Sequence, residues 1–88
     1  MPIISQFYGI IIYLYRELNG QHHMPHVHAK YGEFDLSVSF EGEIIAGEFP
    51  NKQRKLVEAW VALHENDLRT AWKEYNESGI VHLIKGLE

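Results

Sequence analysis

The chain has no cysteine, so neither a disulfide framework nor a cysteine-based zinc site is available to it, and any metal site must be built from histidine and carboxylate. It also lacks a long apolar run. The longest, residues 7–15, has about nine residues, where a membrane-spanning helix needs roughly twenty. No basic residue precedes that run, and Arg16-Glu17 stands after it where a secretory signal would place small residues for cleavage. A cytoplasmic location is therefore expected, without a membrane partner. Basic charge is scarce: eight Lys and Arg face twelve Asp and Glu, a formal net charge of −4. Sequence-independent binding to a phosphate backbone needs the opposite balance, so nucleic acid is disfavoured as a partner. No phosphate-binding Gly loop, Ser-His-Asp order or zincin motif occurs.

What remains is the composition of a folded chain, 45% hydrophobic and 23% charged over 88 residues. That length suits a single domain burying about two-thirds of the surface its unfolded chain exposes. Four of the six histidines fall within residues 22–28, and there the chemistry concentrates. His26, His28 and Lys30 alternate with Val27, Ala29 and Tyr31, the period of a strand with one polar and one apolar face. After Gly32-Glu33 a second alternation sets Phe34, Leu36, Val38 and Phe40 against Asp35, Ser37 and Ser39. A two-residue turn with Gly first pairs Tyr31 with Phe34, Ala29 with Leu36 and Val27 with Val38. On the other face Lys30 then meets Asp35, His28 meets Ser37 and His26 meets Ser39.

Around this hairpin, residues 7–16 read as an apolar core strand and residues 44–49 as a further short strand. Pro50-Asn51 reads as a helix start with Asn51 as candidate N-cap. Leu56, Trp60 and Leu63 form one stripe, with Val57, Val61 and His64 beside it. Leu68, Ala71, Trp72 and Tyr75 continue the helical spacing, and residues 51–77 read as two helices broken near Asn66 rather than one. Ser78-Gly79 is a C-terminal cap signal, after which residues 80–84 form a candidate last strand. The expected fold is α+β: an antiparallel meander of about four strands with two C-terminal helices on one face. Trp60, Trp72 and Tyr75 are expected in the core against Phe34, Leu36, Val38 and Phe40, and His64 and His82 are expected to be structural or exposed.

Ile4-Ser5-Gln6-Phe7-Tyr8-Gly9-Ile10, Pro25-His26-Val27-His28-Ala29-Lys30-Tyr31-Gly32, Gly42-Glu43-Ile44 and Gly47-Glu48-Phe49-Pro50 together resemble a family of small bacterial proteins, domain of unknown function 4160. The resemblance spans nearly the whole chain, and its most specific part is Pro-His-x-His-Ala-x-Tyr-Gly. It implies a short, stand-alone protein, often encoded beside another small protein in arrangements resembling toxin–antitoxin pairs. It implies no reaction.

Three uses of the histidine-rich stretch follow from its residue types. Alternate strand residues set the Cα atoms of His26 and His28 about 6.7 Å apart on one face. With His22 or His23 and an oxygen from Asp35 or Glu33 they form a candidate zinc or nickel site. The same imidazoles, with Lys30 to stabilise phosphate charge, form a candidate acid/base site for hydrolysis, including RNA cleavage. The third use, and the leading expectation, is an interaction or regulatory surface for a protein partner or for self-association. Lys52, Arg54 and Lys55 form a second candidate partner-binding patch, although cations at a helix N-terminus oppose the helix dipole.

Overall fold

A computed structural model describes residues 2–14 and 24–87. Among these residues five strands form one antiparallel sheet in sequence order: β1 (Ile3–Phe7), β2 (Ile10–Tyr13), β3 (His26–Tyr31), β4 (Phe34–Ser39) and β5 (Ile44–Gly47). Two helices follow, α1 (Asn51–Leu63) and α2 (Glu65–Ser78). The α+β meander with helices on one face is the architecture the sequence predicts.

Its first strand differs from expectation. The apolar stretch assigned to one strand over residues 7–16 contains a hairpin, because Tyr8 and Gly9 both take positive φ, 49° and 77°. That pair of left-handed residues makes the turn whose twist matches flanking antiparallel strands. It sets Phe7 opposite Ile10. A Cβ on Gly9 would lie 3.3 Å from the Tyr31 ring, so the turn also packs closely against β3. The β3–β4 hairpin, in contrast, has all six of the expected pairs, from His26 with Ser39 to Tyr31 with Phe34. Gly32, first in the turn, has φ 57°.

Alternation along these strands sends Ile4, Phe7, Ile10, Ile12, Val27, Ala29, Leu36 and Val38 to the closed face, where they meet Val57, Trp60, Val61, Leu68 and Ala71 of the helices. Trp60 is fully buried and stacks on Phe7 with ring centroids 5.5 Å apart. Trp72 and Tyr75 pack on this core while partly exposed. Phe34 does not join it: next to the hairpin turn it is 43% exposed. Leu63 likewise faces out, because the buried stripe of α1 runs through Val57, Trp60 and Val61.

The helices break at His64, two residues before the expected Asn66. His64 is the last cap of α1, donating its N–H to the Trp60 carbonyl at 3.0 Å. It is also the first cap of α2, accepting from Leu68 at 2.8 Å. Glu65 and Asp67 in the first turn of α2 suit its dipole. Asn51 is the first helical residue of α1 and not its cap; Pro50, with extended ψ, takes that place without a side-chain hydrogen bond. Gly79 ends α2 in the left-handed conformation the sequence signals, φ 74°.

Residues 80–84 do not add a strand. The tail is irregular, yet it is fastened: Ile84 donates to the Ile4 carbonyl at 2.8 Å and the Trp60 indole donates to the Lys85 carbonyl at 2.9 Å. A Cβ on Gly86 would sit 2.8 Å from the Gln6 carbonyl oxygen, so only glycine lets the chain lie this close to β1. The tail therefore covers one edge of the sheet and leaves the other, β5, to be considered separately.

Candidate functional site

The face of the sheet away from the helices holds His26, His28 and Lys30, because the same alternation that buries Val27 and Ala29 turns their neighbours outward. Cross-strand pairing assembles rows on this face. One runs Ile3, Tyr13, His28, Ser37, Ala46, and the next runs Gln6, Ile11, Lys30, Asp35. Tyr13 beside His28 was not foreseen; it depends on β2 being a short separate strand. His26 pairs with Ser39 at the end of β3.

The two imidazoles stand edge to face with centroids 5.0 Å apart. Nδ1 of His26 lies 2.7 Å from the Met24 carbonyl oxygen, to which it can only donate, so the basic nitrogen of neutral His26 is Nε2. Nδ1 of His28 hydrogen-bonds to the Ser37 hydroxyl at 3.2 Å. Burial pushes the His28 pKa below its ordinary 6.5; His26 beside it adds to the shift and Asp35 opposes it. His28 is therefore neutral at neutral pH. Lys30 and Asp35 face each other at 3.8 Å with side chains half or more exposed, the geometry of a weak surface pair.

The structure thus brings together His26, His28, Ser37 and Tyr13, with Lys30 and Asp35 one row away. His22 and His23 lie outside the described residues. Among the described residues no three His, Asp or Glu side chains are grouped so as to hold one metal ion. A depression of about 280 Å³ lined by Met24, His26, Glu43, Ile44 and Ile45 joins the His26 end of this face to β5.

In the basic patch on α1, Lys52 and Lys55 are exposed, whereas Arg54 is held by Glu58 at 2.9 Å. The sequence view missed a second cleft, of about 370 Å³, between α2 and the tail. His64 pairs there with Asp67 at 3.4 Å and His82 with Glu74. The His64-x-x-Asp67 spacing signals the first pair; the second depends on the tail folding back and leaves no mark in sequence.

Among the described residues no helix is long and apolar enough to cross a membrane. No curated protein and no solved structure matches the chain. A family model described as Domain of unknown function (DUF4160) matches residues 9–73, from the first hairpin turn into α2 and across the whole histidine hairpin. With about three-quarters of its length covered by that model, the chain belongs to the DUF4160 family.

Proposed function

We propose that the chain is a small interaction or regulatory module that binds a protein partner through the open face of its sheet, with His26 and His28 at the centre of the contact. One observation carries this reading: the helices cover only one side of the sheet, while the other presents a mixed aliphatic, aromatic and imidazole row. Such a surface, with Ile3 39% exposed at its end, has the apolar and aromatic character of a contact centre with polar groups around it. Association with a second small protein, in the manner of the toxin–antitoxin-like pairs implied by the family resemblance, is the form of partnership proposed.

The test is affinity capture with wild type and with a His26→Ala/His28→Ala variant shown by circular dichroism to keep its fold. A discrete partner held by wild type and lost by the variant is expected. An identical set of captured proteins from both would refute the reading.

A second reading, metal-assisted or acid/base hydrolysis including RNA cleavage, is supported by the tautomer of His26. A Nδ1–H held by a backbone carbonyl directs Nε2 as the basic nitrogen, as in histidines that ligate metals. Metal content of protein purified without a His tag, followed by zinc and nickel titration of wild type and the double variant, separates the readings. Near-stoichiometric metal lost in the variant, together with turnover of an RNA substrate, would favour hydrolysis.

A further inference from the structure

The two edges of the sheet are treated differently. The β1 edge carries the C-terminal tail, fastened through Ile84 to the Ile4 carbonyl. β5 is the last strand at the other side, and no described strand pairs with its outer edge. All four of its residues are exposed, including Ile44 at 38% and Ile45 at 48%. Bare, apolar, β-branched edges are what folded proteins normally blunt, since the backbone groups along them accept another strand.

The edge is also held in shape. Ser39 donates its N–H to the Glu43 carbonyl at 2.8 Å, and Glu43 donates its own N–H to the Ser39 hydroxyl at 3.0 Å, fixing where β5 begins. At its end Gly47 has φ 82°, and a Cβ there would fall 2.2 Å from the Asp35 carbonyl oxygen. Glycine alone permits β5 to lie this close to β4.

We propose that the outer edge of β5 accepts an extended, apolar segment of a protein partner flanked by Lys or Arg, adding it to the sheet as a further strand. Charge selects this occupant. Glu43 and Glu48 bracket the apolar residues, and Glu41 precedes them, all three exposed. In antiparallel pairing of two copies, the register that matches the four strand residues sets Glu43 of one opposite Glu48 of the other at both ends. Like charges directly opposite are destabilising, and each copy carries a formal charge of −4. A segment with basic ends turns the same glutamates into attractive contacts. The depression between Met24, His26, Ile44 and Ile45 offers a seat for one of its apolar side chains, and alternate side chains supply specificity in this mode of recognition. The surface lies beside the histidine face and is distinguished from it by which amides a bound peptide shifts.

The test is selection of a random library of short peptides on the full chain, followed by amide chemical-shift mapping with the best binder. Expected are peptides of alternating apolar residues with Lys or Arg at the ends, shifting the amides of residues 43–48. Ile45→Asp, at an exposed position, should weaken their binding about tenfold or more while leaving the melting temperature in place. The Glu43→Lys/Glu48→Lys variant should instead prefer acidic-ended peptides, and Leu63→Asp, at an exposed apolar position of α1, should bind as wild type does. Failure to enrich any peptide, shifts located elsewhere, loss of binding in Leu63→Asp, or a wild-type dimer dissolved by Ile45→Asp would each overturn the proposal.

Discussion

Val27 and His28 are neighbours on one strand, and so are Leu36 and Ser37 on the next. Val27 and Leu36 lie beneath the helices at 0% and 2% exposure, packed with Phe7, Trp60 and Val61. His28 and Ser37 face the other way, half-buried and hydrogen-bonded to each other. On the closed face, residue size and shape set the energetics, because apolar area leaves water there and a void has nothing to fill it. On the open face the groups are polar or partly wet, and their protonation and pairing matter more than their volume. The fold thus separates a face that holds the chain together from a face whose side chains are not committed to the core.

The largest test of that separation is on the closed face. Trp60→Ala removes the largest buried side chain, its stacking on Phe7 and its hydrogen bond to the tail. A loss of about 3–5 kcal/mol is expected in urea unfolding. Against a total of about 5–15 kcal/mol for a typical domain, this would leave the chain at the margin of folding.

His28 should behave otherwise. His28→Ala is expected to cost about 1 kcal/mol, the scale of its hydrogen bond to Ser37. A cost equal to that of Trp60→Ala would mean that the open face is a second core. The pH dependence is more telling. Because the folded chain holds His28 below 6.5 while the unfolded chain titrates near that value, the unfolded state binds more protons as the pH falls through 6.5. The contribution of His28 to stability is retained above that pH and lost progressively toward its lowered folded value. Unfolding curves at pH 8 and pH 5.5 should therefore show a smaller acid loss in His28→Gln than in wild type. In a histidine NMR titration, His26→Ala should raise the His28 midpoint and Asp35→Asn should lower it further.

Smallest of all should be Lys30→Ala. Its partner Asp35 is 3.8 Å away and both side chains are at least half exposed, so the change is expected to be at most about 1 kcal/mol and to shrink in salt. A larger loss that persists in high salt would show that this row is more enclosed than its exposure indicates.

The β3–β4 hairpin was legible in the sequence because two independent alternations agree on one register, and a slip by one residue would have turned every apolar side chain outward. The first hairpin was hidden by Ile10-Ile11-Ile12, which is apolar on both faces and masks the period. Its turn begins with Tyr8, a residue that rarely takes positive φ. The break expected near Asn66 falls at His64, because a tight junction between helices needs no turn residue when one backbone caps both. The candidate last strand does not form, since the hydrogen bonds of the tail backbone to Ile4 and Trp60 are single and carry no period. At the candidate site, the pairing of His26 and His28 with Ser39 and Ser37 was legible for the same reason as the register. The lowered pKa of His28 and the tautomer of His26 were not, because they depend on burial, on Asp35 and on the Met24 carbonyl in three dimensions.

The most direct test of an open, partner-binding sheet face is site-specific photo-crosslinking in cells. A photoreactive amino acid would replace Tyr13, beside His28 on the open face, and in a parallel experiment Ala62, exposed on α1. A discrete protein adduct from position 13, absent from position 62 and lost when His26→Ala/His28→Ala is added, is the predicted result. Adducts from position 62 alone, or an adduct from position 13 that survives loss of both histidines, would contradict the account.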